Sequence, residues 1–334
     1  MKNLSQIKLK RNKVSRTKVF LSYSFKGWIL EGIARESSHA FGNRIKIVFI
    51  PADKSHLLNF INTFIYLLNR KPGQENIYIN QKTFFNVISK KNLNGMPSSS
   101  KVLYTHFSEV KELSKLQQVK LLKHADLVFV LSKRSRKDLE LSGVPSNKIK
   151  VIYGAIDREK YYPQSFKCIG QIRKPYVIVI GDCKERKNPD LILKVILKMP
   201  NQKFVIHGNG WEEYYSNKFK HTPSNVEFKR FKLNLNPQLV RFSSSYLSLS
   251  TLEGGPYPTL EALASGTPVV VTNTGWNSEV VKKGNGVLLS SRVSTDEVVK
   301  ALKLTIKLKS KVKSYDLLDG KFTWEEFGKN LYGN

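Results

Sequence analysis

Twice along this chain, short apolar runs alternate with longer helical stretches, and the alternation stops once in between. The first series is "KVFLSYS" (18–24), "RIKIVFIP" (44–51), "NIYI" (76–79), "KVLYTHF" (101–107), "ADLVFVLS" (125–132) and "KIKVIYGAI" (148–156). The second is "YVIVIGD" (176–182), "KFVIHGNG" (203–210), "NVEFKRF" (225–231), "SYLSLS" (245–250), "TPVVVTN" (267–273) and "GVLLS" (286–290). Runs that are apolar throughout belong to strands covered on both faces, and alternation with helices supplies that cover in a parallel α/β sheet. "SHLLNFINTFIYLLNR" (55–70) has apolar residues at 57, 60, 61, 64, 65 and 68, the spacing of a core-facing helix. The break, "DREKYYPQSFKCIGQIRKP" (157–175), carries charge and prolines without periodicity and reads as the linker. The expected organisation is a basic arm over 1–17, an α/β unit over 18–160, a second over 165–318 and a closing helical segment over 319–334. A chain of 334 residues is long enough to bury both cores. Ligands of such sheets sit beyond the carboxyl ends of the strands, here in a cleft between the units.

Charge narrows the ligand. Lys and Arg number 56 against 26 Asp and Glu, a formal charge of +30. That balance implies a polyanionic neighbour: a phosphorylated ligand, an anionic membrane surface or a nucleic acid. The basic residues are not interleaved with aromatics and no nucleic-acid module is recognisable, so nucleic acid is not an expected partner. The two cysteines, Cys168 and Cys183, do not make a disulfide framework, which points to a reducing compartment. No apolar run approaches the length of a bilayer span, and the N-terminal "MKNLSQIKLKRNKVSRTK" lacks the apolar segment of a signal peptide. The expected location is the cytoplasm, with a peripheral contact on the inner face of a membrane. The histidines at 39, 56, 106, 124, 207 and 221 show no ligand spacing, and neither HExxH nor CxxC occurs, so no metal or other cofactor is expected.

The segment "EGGPYPTLEALASGTPVVVT" (253–272) carries the chemistry. A strand delivers the chain to a loop with two adjacent glycines, and Pro258 suits the start of a helix, where its missing N–H costs nothing. Gly254 and Gly255 let backbone amides approach a ligand, and a helix start offers unpaired N–H groups suited to phosphate. Glu253 and Glu261 would repel a bare anion but accept hydrogen bonds from hydroxyls. A sugar nucleotide has both chemistries, a diphosphate for the amides and sugar hydroxyls for the carboxylates.

"EGGPYPTLE" (253–261) and its continuation "ALASGTPVVVTNTGWNSEVVKKGNGVLL" resemble the E-x7-E block of retaining glycosyltransferases of the GT-B fold, in glycosyltransferase family 4. "GVPSNKIKVIYGAIDREKYYP" (143–163) is similar to the segment that closes the first domain of that family, and "TWEEFGKNL" (323–331) to its terminal helix. The resemblance implies two Rossmann-like domains facing across a cleft, with the last helix crossing back to the first domain. It implies transfer of a sugar from a nucleotide-diphosphate sugar to a saccharide or glycolipid acceptor, without metal. In that pattern Glu261 binds the ribose and Glu253 the transferred sugar. The amides of Gly255, Tyr257 and Thr259, around Pro258, face the sugar and diphosphate. Lys187 neutralises the diphosphate, Gly27 lies in the loop closing on the phosphates, and His106 stands near the reacting sugar.

Three positions depart from the family. Asp182 stands where the family carries Arg; either Lys184 or Arg186 substitutes for it, or Asp182 points away. Trp276 follows a Thr274-Gly275 pair in place of paired glycines and is placed to stack on a ligand. The turn "YGAID" has lost an Asn. His207 reads as structural, while Gly208 and Gly210 mark a strand-end loop lining the donor side of the cleft. Two other functions fit the same motifs less fully. A sugar-nucleotide 2-epimerase would need further acid/base groups in the first domain, where only His106 and Glu109 stand out. A basic nucleic-acid-binding protein would leave the sugar-nucleotide site vestigial.

Overall fold

The computed structural model describes residues 17–23, 32–33, 35–36, 45–51, 75–79, 81, 84–85, 99–106, 113–163, 176–218, 223–308, 318 and 320–332. The helix expected over 55–70, Gly27, Glu109, Cys168 and most of the proposed linker lie outside these residues. So does the basic arm, except that its last residue, Thr17, already belongs to a strand.

The twelve apolar runs become two six-stranded parallel sheets. The first holds β1 (Thr17–Tyr23), β2 (Ile45–Pro51), β3 (Glu75–Tyr78), β4 (Ser99–Tyr104), β5 (Leu127–Val130) and β6 (Ile149–Val151), in the order β2-β1-β3-β4-β5-β6. The second holds β7 (Tyr176–Ile180), β8 (Lys203–His207), β9 (Val226–Lys229), β10 (Ser245–Ser248), β11 (Val269–Thr272) and β12 (Gly286–Leu289), in the order β12-β11-β10-β7-β8-β9. In both sheets the order reverses direction around the first strands in sequence, the arrangement that opens a crevice at the carboxyl edge.

Helices of the first half include α1 (Lys115–Leu122) and α2 (Lys133–Leu141). The second half carries α3 (Pro189–Lys198), α4 (Trp211–Lys218), α5 (Asn236–Phe242), α6 (Tyr257–Ala264), α7 (Asn277–Val280) and α8 (Thr295–Ile306), and α9 (Trp324–Tyr332) ends the chain. Local chemistry sets several of these starts. Ser114 with Gln117 and Ser294 with Glu297 form capping boxes, and Pro189 opens α3 where no N–H is needed.

One core cluster runs through both halves: Leu103 and Phe129 of the first sheet pack in it with Ile178 and Tyr246 of the second. Phe327 and Leu331 of α9 join the same cluster, and the Ile156 amide donates to the Phe322 carbonyl at 3.0 Å. The final helix therefore crosses back against the end of the first half. Each such aliphatic side chain contributes about 1.5–3 kcal/mol by leaving water. Glu279 ties the halves further, accepting from the Lys133 amide at the start of α2 (2.9 Å) and from the Tyr153 hydroxyl (2.6 Å). A carboxylate at a helix start is favoured by the unpaired amides and the dipole there. Among the described residues, no helix is long and apolar enough to cross a membrane.

Candidate active site

The two sheets meet around a cavity of about 320 Å³, with His106 and Thr105 at the end of β4 on one wall and Lys187, Glu253 and Glu261 on the other. Glycine decides how closely the walls meet. A Cβ on Gly254 would lie 2.4 Å from the Thr105 carbonyl oxygen, a backbone atom with little room to retreat.

The cationic end is built by a short turn after β7. Residues Glu185–Lys187 form one 3₁₀ turn, and Asn188 then takes a left-handed conformation (φ 56°) before α3 begins. Asparagine is among the few non-glycine residues that adopt this region readily. The turn aims Arg186 and Lys187 at the loop after β10. Glu253 Oε1 accepts from Lys187 Nζ at 2.6 Å and from Arg186 Nη1 at 2.7 Å, while Arg186 also donates to the Leu252 carbonyl at 3.1 Å. Burial works to raise the Glu253 pKa, but Lys187 and Arg186 outweigh it and hold the group down at about 2. Glu253 is a carboxylate throughout the physiological range.

Glu261 lies one turn into α6 and is governed by the opposite balance. Burial pushes its pKa up to about 7, against hydrogen bonds from Tyr161 and Asn236. Asn236 Nδ2 donates to Glu261 Oε2 at 2.7 Å. Two carboxylates eight positions apart thus differ in character because one faces two cations and the other faces neutral donors.

Of the loop groups expected to hold a diphosphate, Gly255, Tyr257 and Pro258 line the cavity. Thr259 does not. Its side chain is fully buried and its amide donates to the Pro256 carbonyl at 3.0 Å, so it offers no N–H to a ligand. The helix begins at Tyr257, with Pro256 as its cap and Pro258 in its first turn. Pro256 and Pro258 have no N–H and the Thr259 amide is bonded, so Gly254, Gly255 and Tyr257 are the cavity-lining residues of this loop and helix start that carry a backbone N–H.

Gly208 does not present its amide to a ligand either. Its amide donates to the Lys229 carbonyl at 2.9 Å, and a Cβ there would sit 2.0 Å from the Gly181 oxygen. It is glycine for backbone packing between strand ends, and the neighbouring Asn209 reaches the cavity in its place. Asp182 accepts from Asn209 Nδ2 at 2.8 Å and from the Asn209 amide at 3.1 Å. The acid that stands in the family's arginine position thus braces a loop, while Arg186 provides the guanidinium.

Trp276 does not stack on a ligand. It is 0% exposed, packed edge-on against Tyr257 (ring centroids 5.3 Å apart) and against the bare backbone of Gly154 and Gly255. His106 is buried at 6% exposure, and its carbonyl accepts from Gln81 Nε2 at 3.0 Å. His207 is structural, as its sequence context indicates: the ring is fully buried and bonded to Asn236. Asn236 and Tyr161 carry no motif that marks them in the sequence beyond an Asn-Pro pair where α5 begins. Among the described residues, no group of three or more His, Cys, Asp or Glu side chains is arranged to hold a metal ion.

Residues 149–316 match the family described as Glycosyl transferases group 1. No curated protein matches the chain by sequence. Solved structures share the fold at low identity. HepE from Anabaena, in complex with UDP and glucose, aligns with a TM-score of 0.73 at 15% identity, over 95% of this chain and 98% of that one. Sucrose-phosphate synthase from Thermosynechococcus elongatus aligns at 0.76 and 12% identity, over 94% and 96%. The lipopolysaccharide outer core galactosyltransferase WaaB, in its apo form, aligns at 0.68 and 17% identity, over 95% and 99%.

Proposed function

The chain belongs to the glycosyl transferases group 1 family, and from that premise we propose that it moves a sugar from a nucleoside-diphosphate sugar to an acceptor hydroxyl with retention of configuration, as family 4 enzymes do. The observation that carries the reading is the separation of charge within one cleft. Arg186 and Lys187 gather at Glu253, and Glu261 stands on the next helix among neutral donors. The cations keep capacity for phosphate: an ammonium has three donors and a guanidinium five, and Glu253 Oε1 takes one from each.

In this reading the diphosphate rests on the amides of Gly255 and Tyr257 beside Lys187 and Arg186. Glu261 accepts from the ribose hydroxyls and Glu253 from the transferred sugar, while His106 faces that sugar from the first domain. The bond from the anomeric carbon to the diphosphate breaks as the acceptor oxygen forms its bond on the same face. The acceptor proton passes to the departing phosphate oxygen. Lys187 and Arg186 stabilise the charge that develops on the leaving group, where preorganised cations are most effective. The reading calls for no metal and no resident cofactor. The acceptor class is a saccharide or glycolipid, and the +30 charge supports a peripheral contact with an anionic membrane on its cytoplasmic side. HepE binds UDP, which puts uridine donors first in line for this chain.

A thermal-shift screen against UDP-, GDP- and ADP-sugars tests the proposal. A donor at a hundred times its Kd adds about 2.7 kcal/mol to apparent stability, enough to raise Tm by several degrees. No shift with any of the three classes overturns the reading.

A further inference from the structure

Nothing in the spacing of the two glutamates fixes where the Glu261 carboxylate points. The structure supplies that from three other segments. Asn236, which heads α5 and is 1% exposed, donates from Nδ2 to Glu261 Oε2 at 2.7 Å and to the Tyr161 hydroxyl at 3.0 Å. Its Oδ1 meets His207 Nδ1 at 3.0 Å, and His207 Nε2 accepts from the Lys232 amide at 3.0 Å.

This order of donors follows from chemistry. A backbone N–H can only donate, so His207 Nε2 must be the acceptor and Nδ1 must carry the proton. The Asn236 oxygen then has to face the imidazole, which turns its NH₂ toward Glu261. Burial lowers the His207 pKa against its bond to Asn236, which favours the neutral ring this arrangement needs. Phe231 stacks on the same ring, with centroids 4.9 Å apart and planes 28° from parallel, and holds it in place. Tyr161 comes from the segment that leads out of the first half, so both halves of the chain act on one carboxylate.

We propose that Asn236, oriented by His207 and shared with Tyr161, is the positioning residue that aims the Glu261 carboxylate at the ribose of the donor. The proposal rests on the donor reading above, which assigns the ribose to Glu261. It separates two tasks within the site: Glu261 accepts the hydroxyl, and Asn236 with Tyr161 decides whether its free oxygen is in place to do so.

The test is calorimetric titration with UDP, GDP and ADP and their 2′-deoxy counterparts, on the wild type, Asn236→Leu and Tyr161→Phe. A hydrogen bond to a charged group corresponds to roughly tenfold in affinity or more, so the wild type is expected to prefer the ribonucleotide by about that factor. Asn236→Leu should bring the preference down to about twofold, and Tyr161→Phe, which deletes one oxygen and is the gentler change for folding, should reduce it in part. General loosening of the site would weaken ribo and deoxy ligands alike and leave their ratio unchanged. A wild type that discriminates alongside two variants that keep the full ratio overturns the positioning role and spares the donor reading. A wild type that binds nucleotides without discriminating also overturns it, and one that binds none of the six overturns the donor reading itself.

Discussion

Lys187 Nζ lies 2.6 Å from Glu253 Oε1, and the side chains keep only 13% and 10% of their surface in contact with solvent. Because Arg186 shares the same oxygen, Glu253 still has a cation when Lys187 is lost. Lys187→Met should therefore fold, since no carboxylate is left buried and unpaired. Its cost should fall on the chemical step, with kcat down by about a hundredfold or more, the scale seen when a group stabilising developing charge is removed. Steady-state kinetics with a saturating donor checks this. A kcat within twofold of wild type would remove Lys187 from the leaving-group site.

Glu261 and Glu253 respond to pH with opposite signs. Glu253, held down at about 2, contributes stability that is present above its unfolded value of 4.5 and lost as pH falls toward 2. Glu261, pushed up to about 7, contributes in the other direction: its share is complete below 4.5 and is lost as pH rises through 7. Glu261→Gln removes a charge that the fold disfavours. It should raise stability by about 3 kcal/mol at pH 8 and change it little at pH 4, as read from denaturant unfolding at the two pH values. The same variant should bind donor more weakly, because a neutral amide is a poorer acceptor for hydroxyls.

Donor binding should itself be linked to protons. Hydroxyls donating to Glu261 favour its ionised form, so donor affinity should fall below pH 7 and binding at pH 6.5 should release a proton. Titrations in two buffers of different ionisation enthalpy measure that number directly. Proton uptake would reverse the role assigned to Glu261.

Gly254 packs its backbone against Thr105 across the cleft. Gly254→Ala places a carbon 2.4 Å from the Thr105 carbonyl oxygen and forces the walls of the cleft apart. A shift of about 1 Å between reacting groups can cost about a hundredfold, so kcat/KM should drop by that order while the circular dichroism spectrum is unchanged. Activity near wild type would mean that the cleft works in a more open form.

The fold was legible because its determinants are local. "YVIVI" is apolar at every position and "VVVT" at all but its last, and such runs have no place except in a strand covered on both sides. The two glutamates were legible for the same reason, since a strand, two glycines and a helix start lie within a dozen residues. Trp276 was not, because a tryptophan beside glycine in a polar loop looks available to a ligand until Gly154 and Gly255 are seen to make room for it. Thr259 and Gly208 were misread because their amides are consumed by bonds that only the folded backbone defines. Asn236 reaches Glu261 across 25 residues and Tyr161 across 75, and no spacing rule along the chain encodes such pairs.

Titration of the protein with UDP, GDP and ADP, repeated on Glu261→Ala, tests the central claim most directly. The account predicts that at least one nucleotide binds the wild type in the range of ordinary substrates, about 1 μM to 1 mM, and that Glu261→Ala weakens it by roughly tenfold or more. Absence of binding by all three, or an affinity that the substitution leaves unchanged, would contradict it.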